Sequence, residues 1–286
     1  GEITAINYSN SRSTYNVKRS DYNVYDFENK EPSAIYDFDD HQYNTNVKLG
    51  LIHNWSFRFK DGSTVDFKNL ANFNSSSQYI QRGGEHYEFS YFPNNYSFDQ
   101  VFKGIYSGQI LGKHELSEGA ANLDWVVGMG YTYRNQPDYK RYRSDLDTAT
   151  GNSTLYIPIG NAQPFFLGRF YSEMRELLTN AQINYSYKIG YKKANKIIPT
   201  LYTGINLEYK DRTFGSRNIG FIRSPQFDIS NLNAPISDIF QEENINTTTG
   251  VILDEQSNPS DSYTSNNVLG AAYAKMELPL QKFKIV

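Results

Sequence analysis

The chain contains no cysteine, which excludes a disulfide framework and any thiolate metal site. No apolar run approaches the roughly 18 residues that a spanning helix needs. Nothing at the start reads as a signal peptide, because Gly1 opens directly into an alternating pattern. The expectation is that a leader was removed or that the chain begins partway through a larger polypeptide. Neither sign of charge dominates: 28 Lys and Arg against 31 Asp and Glu leave a formal net charge of -3, so no general pull on nucleic acid is expected. The four histidines, His41, His53, His86 and His114, form no HExxH or other ligand spacing. No GxSxG and no phosphate-cradling glycine loop is present. The reading is therefore of a chain without catalytic residues, metal or cofactor.

Aromatic residues are plentiful, with 24 Tyr and 18 Phe. With abundant Asn and Ser they favour strands and polar loops over helices. Alternation sharpens this. From Ala121 to Arg134 the odd positions are Ala, Leu, Trp, Val, Met, Tyr and Tyr, whereas the even ones are mostly small or polar. Successive side chains of a strand point to opposite faces, so one face is apolar and the other is not. Thr179–Tyr191 repeats the pattern, with Ala181, Ile183, Tyr185, Tyr187, Ile189 and Tyr191 together. So do Val47, Leu49, Leu51, Trp55, Phe57 and Phe59; Ile197, Leu201, Ile205, Leu207 and Tyr209; and Val268, Ala272, Ala274, Met276, Leu278 and Leu280. Phe102, Tyr106 and Ile110 alternate with Gly104, Gly108 and Gly112 in a less regular strand.

Length and connection pattern carry the reading further. A globular strand has about 5–6 residues, a membrane strand about 9–11, and several of these runs are longer. Short turns are expected at Lys60-Asp61-Gly62, Ser117–Ala120, Lys192–Asn195 and Leu280–Lys282. Long irregular stretches are expected at roughly 82–97, 141–168 and 217–265. Short and long connections take turns along the chain, which puts short turns at one end of an up-and-down sheet and long loops at the other. The predicted fold is all-β: an antiparallel up-and-down transmembrane β-barrel, present in part, with about eight strands and a stub at the end. The alternatives are a soluble all-β protein and a complete small barrel with long loops.

Three segments resemble the TonB-dependent receptor barrels of Bacteroidota: Ile105–Leu116, Leu123–Asp138 and Leu269–Val286. The likeness in strand order and turn spacing runs from about residue 40 to the end. It implies a barrel of about 22 strands, of which residues 1–286 would form part of one barrel domain. The plug domain would lie outside this stretch. It further implies a bacterial outer-membrane location in contact with lipid, an energy-coupling protein of the TonB type acting through the plug, and a surface lipoprotein partner.

The binding candidates are loop aromatics beside charge. Tyr139, Lys140, Arg141, Tyr142 and Arg143 lead into one long loop, Phe165 and Phe166 lie on its far side, and Tyr91 and Phe92 precede Pro93 in another. Such rings stack on sugars or pack on a partner; the alternative is that they stabilise their own loops. Asp124, Arg134, Asn184, Asn206 and Glu208 are expected to face the lumen. Gly83-Gly84 reads as a loop pair. Asp39-Asp40 and Glu242-Glu243 read as solvated loop charges, with calcium binding as the alternative. Three functions compete: energy-coupled import of a bulky nutrient (glycan, peptide or metal chelate), a structural or secretion-associated barrel that docks protein partners, and an outer-membrane hydrolase, for which no residue cluster is found.

Overall fold

The computed structural model describes residues 1–28, 30–191, 198–279 and 284–285. Its strands are β1 (Glu2–Asp26), β2 (Glu31–Arg58), β3 (Thr64–His86), β4 (Asn95–Leu116), β5 (Ala121–Tyr142), β6 (Ser144–Leu146), β7 (Ser153–Leu155), β8 (Gly168–Lys188), β9 (Thr200–Arg223), β10 (Val251–Glu255), β11 (Tyr263–Pro279) and β12 (Lys284–Ile285). The main sheet is an antiparallel meander in the order β1-β2-β3-β4-β5-β8-β9-β11-β12, with β10 added to the end of β9. Among the described residues the sheet does not close: β1 pairs only with β2.

The long connections 87–94, 143–167 and 224–262 lie at one end of the sheet together with a short link after β1, and the tight turns after β2 and β4 lie at the other. In the turn after β2 the Gly62 N–H donates to Phe59 O (3.1 Å), and the Phe59 N–H donates to Ser63 O (2.9 Å). Gly62 sits at φ +84°, a left-handed position that a side chain would strain. Ser117–Gly119 makes a 3-10 turn at the same end, and Ala120 N–H closes it on Ser117 O (3.1 Å). The turns expected at Lys192–Asn195 and Leu280–Lys282, together with Ile197 and Leu280, lie outside the described residues. At the other end the connections are 27–30, 87–94, 143–167 and 224–262.

The strands run further toward this loop end than expected, so the stretches 82–97, 141–168 and 217–265 shrink at both edges. The reason is that the extensions are held by polar cross-strand bonds instead of apolar pairs. Gln81 Nε2 donates to the Tyr96 hydroxyl (2.9 Å), and Arg82 Nε to Asp40 Oδ1 (2.7 Å). Gly83-Gly84 is therefore part of β3, and Asp39-Asp40 part of β2, not of loops. Phe59 falls in the turn after β2 rather than on its strand face.

Pairing carries one apolar face from β2 to β11. The row through Trp55 continues as Phe67, Ile110, Val127, Ala181 and Leu207. Its neighbour runs Phe57, Val65, Gly112, Trp125, Ile183, Ile205 and Ala272. On β9 the apolar Ile205 and Leu207 are 56% and 55% exposed, whereas Asn206 and Glu208 between them are partly covered. This inverts the order of a water-soluble protein, in which the apolar face is the covered one. The exposed band spans on the order of 1,000 Å², beyond the patch that a soluble monomer shows.

The band is oblique to the strand rows. The row through Val47 passes Ser75, Phe102, Asn135, Glu173 and Gly215. The apolar run begins at Leu177 on β8 and Tyr209 on β9, four and six residues nearer the tight-turn end than that row. The opposite edge shifts the same way, from Phe57 on β2 to Tyr187 on β8 and Leu201 on β9. A stagger of about one residue per strand, at about 3.3 Å rise and 4.8 Å spacing, tilts the strands by about 35° to the band. The band is then about 22–27 Å tall.

The buried core lies at the loop end, not in the sheet. Leu155, Ile157, Leu167, Phe221, Phe227, Leu232, Ile239 and Val251 form one cluster. It gathers the 143–167 and 224–262 connections onto the ends of β9 and β10, with a short α1 (Ile236–Ile239) packed in. Phe221 meets Phe240 edge-on at 5.0 Å, and Asp254 accepts from Ala162 N–H at 2.9 Å. The long connections are thus a folded lobe.

Candidate functional site

Five of the seven candidate binding residues converge. Tyr139, Arg141, Tyr142, Phe165 and Phe166 line one groove of about 340 Å³ with Arg19, Ile80, Arg82 and Arg143. One extended strand and a loop place them. Tyr139, Arg141 and Tyr142 lie on β5 itself, not in a loop, because β5 pairs with β8 as far as Arg141–Gly168. Phe165 and Phe166 follow Pro164, whose carbonyl accepts from Arg141 Nε (2.7 Å). Phe165 and Phe166 are in contact, with centroids 4.2 Å apart, and Phe165 is 59% exposed.

Arg143 organises the wall. Its guanidinium lies 3.8 Å from the Tyr91 ring centroid, 4.7 Å from Tyr156 and 4.9 Å from Phe166. It donates twice to Asp145, at 2.8 and 2.9 Å. Tyr91 and Phe166 therefore hold their own loops together, which was the alternative reading for them. Phe92 does not line the groove; its carbonyl accepts from Leu146 N–H (2.7 Å) and pins the β6 hairpin.

The buried partner of two groove arginines was missed by sequence reasoning. Asp40 on β2 is 1% exposed. It accepts from Arg19 Nε of β1 (2.8 Å) and from Arg82 Nε and Nη2 of β3 (2.7 and 2.9 Å). Burial opposes its charge, but hydrogen bonding and charge from Arg82, then Arg19, outweigh burial and hold the carboxyl below the ordinary range. Asp40 is thus a buried clamp joining three strands, not a solvated loop charge. Tyr142 is pushed up to about 12 by burial, with Tyr96 and Tyr79 adding to it, and stays a neutral phenol. Both groups lie beyond the apolar band. Glu242 and Glu243 are exposed in a 3-10 turn, as expected of solvated charges.

Asp124, Arg134, Asn184, Asn206 and Glu208 all lie on the face opposite the apolar band. Asp124 directly opposes Asn184, Gln182 opposes Asn206 and Asn180 opposes Glu208. Arg134 donates to Ser172 Oγ and Gln136 Oε1, both at 2.9 Å, and Gln136 Nε2 donates to Asp99 (2.6 Å). Asn184 Oδ1 accepts from Tyr273 OH at 3.1 Å. These five form a polar surface rather than a converging site. His114 stands at the tight-turn end, where its Nε2 accepts from Trp125 Nε1 (3.0 Å).

No family model matches the chain, and no curated protein or solved structure matches it either.

Proposed function

We propose that this sheet is part of the wall of an outer-membrane β-barrel of the TonB-dependent transporter type, which imports a bulky nutrient under energy coupling. One observation carries the membrane reading: the exposed apolar band, continuous through the strand pairing and about 22–27 Å tall. Its height matches the roughly 25 Å lipid-facing band of outer-membrane barrels, and its tilt of about 35° matches theirs. In lipid that band is solvated and the polar face turns to a lumen. The free edge of β1, and that of β11 beyond its two-residue pairing with β12, would each leave a row of unpaired backbone groups in hydrocarbon, at several kcal/mol apiece, so further strands complete the barrel. Tight turns then face the periplasm and the folded lobe faces outward, where cargo and a surface lipoprotein would dock. The transporter class, the plug and its coupling protein rest on the resemblance of Ile105–Leu116, Leu123–Asp138 and Leu269–Val286.

The test uses the only two tryptophans, Trp55 and Trp125, which both lie on the apolar face. The full chain is reconstituted into vesicles whose acyl chains carry bromine. Strong quenching of both indoles, with little effect of iodide in the water, is the expected result. Full access of iodide and no quenching by bromine would leave a soluble β protein.

A further inference from the structure

The geometry points to the groove at the loop end as a site for an acidic saccharide, its carboxylate held by Arg141 and its ring stacked on Phe165 and Tyr139. This rests on the reading of the loop end as the face that meets cargo.

Charge comes first. Four arginines line the groove and no carboxylate does. Arg19 and Arg82 share the single carboxylate of Asp40, which leaves that cluster one positive charge, and Arg143 is paired by Asp145. Arg141 has no carboxylate partner among the described residues. Its Nε is spent on Pro164 O, and its guanidinium lies 5.3 Å from the Tyr139 ring centroid. Among the described residues neither terminal amino group has a hydrogen-bond acceptor. A planar guanidinium so fixed pairs bidentately with a carboxylate and gives up little freedom in doing so.

Shape selects the rest of the ligand. The exposed Phe165 ring offers an apolar face, and Asn95, Tyr96 and Ser97 of β4, the strand paired beside Arg141, offer partners for hydroxyls. An anionic group, a flat apolar ring face and several hydroxyls describe a uronic-acid sugar. An acidic peptide supplies the carboxylate but leaves the aromatic face unused. A volume of about 340 Å³ admits a short saccharide.

The experiment measures binding to the full chain in detergent micelles by calorimetry. Its probes are digalacturonate, neutral galactobiose and triglutamate. Digalacturonate is expected to bind roughly tenfold or more tighter than galactobiose, by a margin that shrinks as salt rises. Arg141→Gln should remove that margin and Arg141→Lys should keep part of it. Phe165→Ala, at a ring that is 59% exposed, should weaken both sugars alike. Equal binding of the two sugars, an Arg141→Gln variant that binds as before, triglutamate binding as tightly as digalacturonate, or no binding of any probe would each overturn the proposal. Bromine quenching of the tryptophans is read separately. Quenched indoles with an inert groove remove the saccharide and keep the barrel, and a binding groove with unquenched indoles does the reverse.

Discussion

The indole of Trp125 lies across Gly112, the residue directly opposite it on β4, and a β-carbon on that glycine would fall inside the ring. Tyr133 covers Gly104 on the same strand in the same way. Gly104 and Gly112 are therefore seats for aromatic rings from β5, which shield a backbone that would otherwise be bare. Replacing Gly112 by Val should expel the indole and break its hydrogen bond to His114. The expected cost is about 1–3 kcal/mol, read by denaturant unfolding. In a Trp55→Phe background the Trp125 emission should shift, and unchanged emission would refute the packing.

The two faces of β9 give a sharper contrast. Leu207 and Glu208 are neighbours on opposite faces. In water, arginine at either site would change little. In lipid, Leu207→Arg should cost about 2–4 kcal/mol and Glu208→Arg less than about 1. Urea titration in vesicles compares them, and equal costs would contradict a lipid-facing band.

The Asp40 clamp makes stability depend on pH. Its folded pKa lies below that of the unfolded chain, so its contribution is complete above pH of about 4. That contribution fades as the pH falls through the depressed folded value. Asp40→Asn should remove about 2–3 kcal/mol near neutrality, less than a fully buried pair because Arg19 is half-exposed. The variant's melting temperature should also vary less between pH 5 and pH 2 than that of the parent.

Glu255 behaves similarly at the lobe. Its pKa is lowered to about 2 by hydrogen bonds from Arg217 and then Ser257. The β9–β10 pairing should therefore hold at pH 4 and loosen only as the pH approaches 2. Amide exchange at Val251–Glu255 follows this directly, and rapid exchange already at pH 4 would contradict it.

Removing the Arg143 guanidinium should open the loop lobe. Arg143→Leu leaves Asp145 unpaired and strips the cation from Tyr91, Tyr156 and Phe166, a loss of about 2 kcal/mol. Limited proteolysis should then cut within 143–167 while the sheet stays whole.

The meander was legible because the apolar alternation has a period of two wherever the band runs. Val47–Phe57, Leu123–Tyr133 and Leu201–Tyr209 each display it, and Asp61-Gly62 marks its turn. Beyond the band the alternation is polar on polar, so Gly83-Gly84 and Asp39-Asp40 looked like loops. Arg19, Asp40 and Arg82 stand on three different strands, and only the register brings them together. A charged residue such as Arg19, at the odd positions shared with Tyr15 and Val17, was the available sign that β1 continues. The lobe core escaped notice because Leu155, Phe227, Ile239 and Val251 follow no period. Tyr139, Arg141, Tyr142 and Phe165 were found for a simpler reason, that rings beside cations are conspicuous wherever they fall.

The one-residue stagger also sets a width. A strand leaning at about 35° takes up about 5.9 Å of perimeter, so the eight long strands cover an arc of about 47 Å. On the proposed ring of about 22 strands the perimeter is about 130 Å and the bore about 41 Å from backbone to backbone. An open hole of that calibre would let small solutes and many peptides leak freely. Such a wall is compatible with a living cell only around a stopper, and the polar face of Asp124, Asn184, Asn206 and Glu208 is the surface against which that stopper would rest.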